Sequence, residues 1–234
     1  MGAGMTQTVE IKVMTSAAFK EAYLELVPQF ERATGHKVVT LWVPSADILT
    51  RLDRGETVDL VIVSADAIDE LIRRGKLAAG SRVDLAKSGV GLAVRAGAPR
   101  PDFSSGEALK RALLAAKSIA YSTGPSGVYL VGLFQRMGIA EELKSRIKQV
   151  KGEPVGAVVA RGEAEIGFQQ MSELLPVAGI DLLGPLSADV QKITTFAAGL
   201  HVGAPQPAAA KALVKFLTAP AALPVIRKKG MEPG

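Results

Sequence analysis

The sequence contains no cysteine. Disulfides, thiolate metal sites and a cysteine nucleophile are therefore all excluded, and the redox compartment has no marker. Aromatic residues make up only 5% of the chain, too few to interleave with basic residues as a nucleic-acid surface would require. There are two histidines, His36 and His201, too isolated in the chain for a metal centre; no metal or cofactor is expected, and structural roles suit both. Apolar runs are short, and none approaches the roughly 18 residues that would cross a bilayer, so no membrane-embedded segment is expected. HExxH, GxSxG and GxGxxG are absent, which leaves hydrolase and dinucleotide-dehydrogenase readings without support. The N-terminus lacks the basic segment and apolar core of a secretion signal. Met5 reads as a native start behind an extension at residues 1–4, which implies a cytoplasmic protein; removal of a leader would make it periplasmic instead.

What is present is enough apolar residue for a substantial core, 48% of 234 residues with mean hydropathy +0.23. The net charge is +5, from 28 basic and 23 acidic residues, which raises nucleic acid as a partner. The basic residues are scattered, as at Arg73-Arg74, Lys110-Arg111 and Lys144 to Lys151, and read as solvated helix faces. Nucleic acid is thus not expected, although a mild positive field would assist capture of a small anion.

The chain alternates strands and helices. Val9 to Met14 reads as a strand, and Phe19, Ala22, Tyr23, Leu26, Val27 and Phe30 form one helical stripe ending near Thr34-Gly35. Lys37 to Val43 is a strand, Ala46 to Arg54 a helix, Leu60 to Val63 a strand, and Ala67 to Ile72 lies in a helix. Such alternation predicts parallel sheets covered on both faces. Val83 to Leu85 and Val90 to Val94 read as two strands without a helix between them, a crossing into a second unit. There, Glu107 to Ala116 and Ala140 to Ile147 read as helices, Val155 to Val159 as a helix ended by Arg161-Gly162, and Ile166 to Gln169 as a strand. Ser172 to Val177 is a short helix, Ile180 to Leu183 a strand, Val190 to Phe196 a returning strand, and Ala208 to Leu217 a closing helix. A chain that leaves one unit and returns has a hinge and a cleft, with lobes at 5–87 plus 196–234 and at 88–195.

The central stretch is Ser118 to Phe134, SIAYSTGPSGVYLVGLF, a strand, a small-residue turn and a helix start. A helix start has unpaired N–H groups and the positive end of the dipole, so it favours a carboxylate or oxyanion. On this reading a side chain at Gly127 is expected to crowd a ligand without touching the core. Comparable short polar loops occur at Thr15-Ser16, Pro44-Ser45 and Ser64-Ala65-Asp66.

With VDLVIVSAD (Val58 to Asp66), PSGVYLVGLFQRMGI (Pro125 to Ile139) and VVARGEAEIG (Val158 to Gly167) in this order, the chain resembles the type 2 periplasmic binding-protein fold. More narrowly it resembles the molybdate-binding-protein-like branch of ABC-transporter substrate-binding proteins, some of whose members are similar to aconitate isomerase. The resemblance implies an α/β fold of two lobes, each a mainly parallel sheet flanked by helices, with the anion between them. It also implies an ABC permease partner if the chain is exported, and a monomer or dimer. By position the ligand contacts are Thr15, Ser16 and Ala17 to Ala18, Ser45 and Ala46, Ser126 and Gly127, Gly152 and Glu153, and Gln169 and Gln170. Two positions depart from the molybdate binders: Ala18 stands where they carry a serine, and Gln170 where they carry a tyrosine. Loss of hydroxyl partners disfavours molybdate, whereas amides that both donate and accept suit an organic di- or tricarboxylate. Strand alternation points only one of Gln169 and Gln170 into the cleft. Two functions follow: a binding protein for a small organic anion, or an isomerase on the same scaffold that moves a double bond in a tricarboxylate by proton transfer. For the latter, Glu153, Asp66, Tyr129 or a histidine could serve as the base.

Overall fold

The computed structural model describes residues 7–234; the start assigned to Met5 and the extension at 1–4 lie outside them. The first part of the chain alternates β1 (Glu10–Thr15), α1 (Lys20–Thr34), β2 (Lys37–Trp42), α2 (Ser45–Asp53), β3 (Leu60–Ser64) and α3 (Ala65–Arg73). The middle holds β4 (Val83–Arg95), α4 (Gly106–Ala115), β5 (Ile119–Ser122), α5 (Pro125–Arg136), α6 (Ala140–Leu143) and β6 (Ile147–Val150). It continues through α7 (Val155–Ala160), β7 (Ile166–Gln170), α8 (Met171–Leu174) and β8 (Ile180–Pro185), and the chain ends with β9 (Ile193–Leu200), α9 (Pro207–Leu217), α10 (Leu223–Lys228) and β10 (Glu232–Pro233).

Local sequence accounts for the clearest of these. In α1 the stripe Ala22, Tyr23, Leu26, Val27 and Phe30 is buried, and the helix stops at Gly35, whose φ of 76° is open to glycine and whose N–H reaches Glu31 O at 2.8 Å. Helix α5 starts at Pro125, because proline at the first helical position loses no hydrogen bond.

The strands run in the order β2-β1-β3-β9-β4-β7-β5-β6, with β10 and β8 also paired to β4. Strands β1, β2 and β3 are parallel, as are β5, β6 and β7, whereas β9 and β4 run against their neighbours. Each lobe thus keeps a parallel set, β1–β3 or β5–β7, joined to one reversed crossing strand, β9 in the first lobe and β4 in the second, so that each sheet is mixed at the crossing. The expected pair Val83 to Leu85 and Val90 to Val94 is one strand: residues 83–89 of β4 pair with β9, and residues 90–94 pair with β7. Beside this crossing, the side-chain amide of Gln191 brackets Val90, accepting from its N–H at 2.8 Å and donating to its C=O at 3.0 Å.

Both faces of each sheet are covered. One lobe packs Phe19, Tyr23, Leu26, Phe30, Leu213 and Leu217 on one face and Met14, Ile48, Leu52, Val61 and Ile68 on the other. The second packs Leu92, Leu109, Leu130, Phe134 and Phe168 on one face and Val150, Val155, Val158 and Val159 on the other. Fully burying side chains of this size contributes roughly 1.5–3 kcal/mol each. No single helix among the described residues is long and apolar enough to cross a membrane; the bent pair of α9 with Pro220–Lys228 passes by composition, but Leu213, Leu217 and Ile226 are in the core.

Two expectations fail at Ala140 to Ile147 and at the C-terminus. The former is a single helical turn and a 3-10 turn (Lys144–Arg146) that delivers Ile147 into an edge strand beside β5. The latter adds α10 and β10, the latter pairing with Ala86 and Lys87 of β4.

Candidate functional site

A cavity of about 400 Å³ lies between the lobes, within the range of small-molecule sites. From the first lobe it is walled by Ser16, Ala17, Ala18, Lys20 and Glu21, by Trp42 to Ser45, and by Phe196. The second lobe supplies Ser122 to Pro125, Val150, Gly152 to Pro154, Gln169, Ser172, Glu173, Pro176 and Val177. The mixture of apolar walls and few polar groups is what a specific organic ligand needs: surface to cover it and donors to orient it.

Three helices begin at this cavity, α1 of 15 residues, α2 of 9 and α5 of 12. Phe19, Pro44 and Gly124 stand at their N-caps, and none supplies a side-chain cap. The first-turn N–H groups of these helices thus have no side-chain acceptor at the cap; Glu21 and Asp47 stand in the first turns of α1 and α2, and no acidic residue stands in that of α5. Ser16 adds an independent donor: it is 5% exposed, lines the cavity, and its Oγ has no partner. A buried hydroxyl left unpaired costs about 1–3 kcal/mol, so a ligand oxygen here recovers that energy.

The expected contacts divide into two groups. Ser16, Ala17, Ala18, Ser45, Gly152, Glu153 and Gln169 line the cavity, whereas Thr15, Ala46, Ser126, Gly127 and Gln170 stand outside its wall. The Thr15 hydroxyl donates to Ser16 O at 3.0 Å. At Gly127 a Cβ would fall 1.7 Å from the carbonyl oxygen of Ser122. Glycine is required there so that α5 can begin against the end of β5, and a side chain would strike the protein backbone rather than a ligand. The two glutamines part as alternation requires. Gln169 turns toward α7 and the cavity, while Gln170 is fully buried with both amide atoms unpaired.

The bases expected from the sequence are paired with other groups or lie away from the cavity. Glu153 lines the cavity, but Arg161 grips both its oxygens at 2.9 and 3.1 Å and holds its carboxyl below the usual carboxylate range. Tyr129 donates its hydroxyl to Val190 O at 2.6 Å. Asp66 is exposed in the first turn of α3, away from the cavity. The imidazoles are structural: His36 Nδ1 accepts from Val9 N–H at 3.3 Å, and His201 Nδ1 accepts from Gly203 N–H at 3.2 Å. Burial lowers the His201 pKa, with Lys76 adding to the effect.

A group not singled out from the sequence, Glu173, occupies the cavity wall instead. It lies in α8, reaching the cavity while the rest of the side chain is enclosed, and burial pushes its pKa up to about 7 despite the hydrogen bond from Gln169. Gln169 Nε2 donates to Glu173 Oε1 at 2.9 Å, and Gln169 Oε1 accepts from Val155 N–H, the first of α7, at 2.9 Å. The backbone donor fixes which end of the amide faces the carboxyl. The lobes are also tied across the cleft: Ser172 Oγ donates to Ala18 O at 2.8 Å, and Lys151 Nζ pairs with Asp47 at 2.9 Å. Among the described residues no cluster of His, Asp and Glu could hold a metal ion.

The chain matches known proteins along nearly its whole length. The model of the bacterial extracellular solute-binding protein family matches residues 11–232. An aconitate isomerase of a Pseudomonas species is 40% identical over 229 residues, covering 95% of this chain and 87% of that protein. The molybdate-binding protein ModA of Azotobacter vinelandii is 30% identical, covering 98% of this chain and 94% of that one. The solved structure of the periplasmic molybdate-binding protein of Azotobacter vinelandii superposes with a TM-score of 0.79 at 20% identity, over 96% of this chain and 99% of that chain, a likeness of fold.

Proposed function

Because the chain belongs to the bacterial extracellular solute-binding protein family, we propose that its interlobe cavity takes a small organic polycarboxylate and moves a double bond within it, as an isomerase of the aconitate type. The observation that carries the anion reading is the meeting of three uncapped helix starts with the unpaired Ser16 Oγ around one cavity of about 400 Å³. A di- or tricarboxylate can place separate carboxylates at separate helix starts, and each charge gains from donors already oriented for it. The apolar walls Trp42, Val43, Val150, Val177 and Phe196 suit a carbon skeleton, which a tetrahedral oxyanion lacks.

The isomerase reading is supported by the 40% identity to an aconitate isomerase across nearly the whole chain. Without cysteine, addition of a thiolate to the double bond is unavailable, so the double bond would move by proton transfer. The donors at the helix starts would then stabilise the carboxylate that shares charge with the carbanion. The hinge of such a molecule would pass through β4 near Gly89 and through residues 186–192, close to the lobe limits 5–87 plus 196–234 and 88–195. A permease partner and a periplasmic setting would go with the alternative, a carrier that leaves its ligand unchanged.

A thermal-shift panel of molybdate, sulfate, phosphate, citrate and cis- and trans-aconitate tests the ligand, followed by proton NMR of the stabilising carboxylate in heavy water. Stabilisation by a polycarboxylate, interconversion of the aconitates and deuterium incorporation are expected. Stabilisation by molybdate or sulfate alone would overturn the carboxylate reading, and binding without conversion would leave a carrier.

A further inference from the structure

We infer that Glu173 is the proton-transfer group of this cavity and that Gln169 positions it. The inference rests on the isomerase reading above and assigns the chemistry that reading leaves unassigned. Three carboxyls line the cavity, Glu21, Glu153 and Glu173. Glu153 is held by the Arg161 guanidinium. Glu21 lies in the first turn of α1 beside Lys20, with no hydrogen bond among the described residues to orient its carboxyl. Only Glu173 combines access to the cavity, a fixed orientation and freedom from a cation: the chain Val155 N–H to Gln169 to Glu173 Oε1 sets its carboxyl plane, and no lysine or arginine pairs with it among the described residues.

The lack of a cation matters for a base. A carboxylate already paired to a guanidinium is a poor proton acceptor, whereas one held by a neutral amide loses less of its basicity. Burial acts in the same direction and brings the carboxyl to half-ionisation near pH 7, where a general acid–base group works in both directions. The charged groups sharing its cavity wall are Lys20 and Glu21 on α1 and Glu153 ahead of α7.

In the step itself, the Glu173 carboxylate removes a proton from the methylene carbon next to the substrate double bond. The C–H electron pair spreads over three carbons and the attached carboxylate. The Glu173 carboxyl then returns the proton to the far carbon of the three, a new C–H bond forms, and the double bond lies between the other two. Nothing is oxidised, no group leaves, and Glu173 ends ionised as it began.

The test is to compare wild type with Glu173→Gln, which keeps the shape and the acceptor toward Gln169. Binding of cis- and trans-aconitate is followed by calorimetry from pH 5 to 9, and turnover by proton NMR in heavy water. Wild type is expected to convert aconitate. The variant is expected to bind within about threefold of wild type near pH 6, and to lose interconversion and deuterium incorporation by about 10²–10⁴-fold. Wild-type affinity should weaken above pH 7 as Glu173 ionises beside the anion, and the variant should lack that decline. Turnover in Glu173→Gln within tenfold of an active wild type would overturn the assignment and leave the isomerase reading intact. A wild type that binds aconitate yet leaves it unchanged and unlabelled would overturn both. If Glu173→Gln fails to fold, Glu173→Asp decides: its acid limb in kcat/KM should move to lower pH, and an unmoved limb overturns the assignment.

Discussion

The environment of Glu173 should be visible in the stability of the protein without any ligand. In the unfolded chain this carboxyl titrates at its usual value of 4.5, and in the folded protein near 7. Between those values the native state holds more protons than the unfolded state, so stability is greatest below pH 4.5 and falls as the pH rises through 7. A rise from 4.5 to about 7, at about 1.4 kcal/mol per pH unit, amounts to roughly 3 kcal/mol. Replacing Glu173 by Gln substitutes a neutral group of the same shape that can still accept from Gln169. The variant should therefore match wild type near pH 4.5 and exceed it by roughly 3 kcal/mol at pH 8. For a chain of this length that is about 6 °C in Tm. The assay is thermal or urea unfolding of both proteins at several pH values. Other titrating groups cancel in the difference, which isolates residue 173. A gap that stays constant from pH 5 to 8, or a wild type that is the more stable at pH 8, would refute the claim that burial raises this carboxyl.

Gly127→Ala should destabilise by about 1–3 kcal/mol or more, since its Cβ would meet Ser122 O at 1.7 Å; an unchanged urea midpoint would show that α5 can shift at no cost. Gln170→Met should stabilise the protein by about 1–3 kcal/mol with little change in ligand affinity, because a fully buried amide with no partner is replaced by a thioether. A large loss of affinity measured by calorimetry would instead place Gln170 on the ligand. Ser172→Ala removes the buried bond to Ala18 O between the lobes, so closure should lose about 0.5–1.5 kcal/mol and affinity should drop by up to about tenfold. A larger radius of gyration in solution scattering should accompany it; an unchanged one speaks against a latch.

Much of the fold is legible locally because its determinants are local. The stripe of α1 and its glycine stop lie within one stretch of the chain, β1 shows itself by alternation, and β3 by a continuous apolar run. At β4 the local signal misleads. Ala86-Lys87-Ser88-Gly89 reads as a gap between two strands, yet β9 supplies the pairing that makes them one, with Ser88 opposite Thr194 and Gly89 opposite Ile193. Likewise β6, with Lys148 and Gln149 exposed, has too little apolar pattern to be told from the end of a charged helix, and only the neighbouring β5 makes it a strand.

The site follows the same division. Small-residue loops ahead of helices mark where anion donors collect, because the geometry of a helix start is a property of a few consecutive residues. The character of Glu173 is not of that kind. Its desolvation comes from elements far apart in sequence: Ser172 beside it reaches Ala18, 154 residues away, bringing α8 against α1, while Gln169 connects it to the start of α7. Each link alone is ordinary, and a glutamate in a short helix after two glutamines carries no motif. Contacts between the lobes, Ser172 Oγ to Ala18 O and Lys151 to Asp47, hold the carboxyl and the helix starts around one cavity. On the proposed function, the base and the anion site would both depend on that arrangement. Opening the hinge would return Glu173 to water and to its usual acidity, so proton transfer and ligand capture should be lost together when the lobes are held apart.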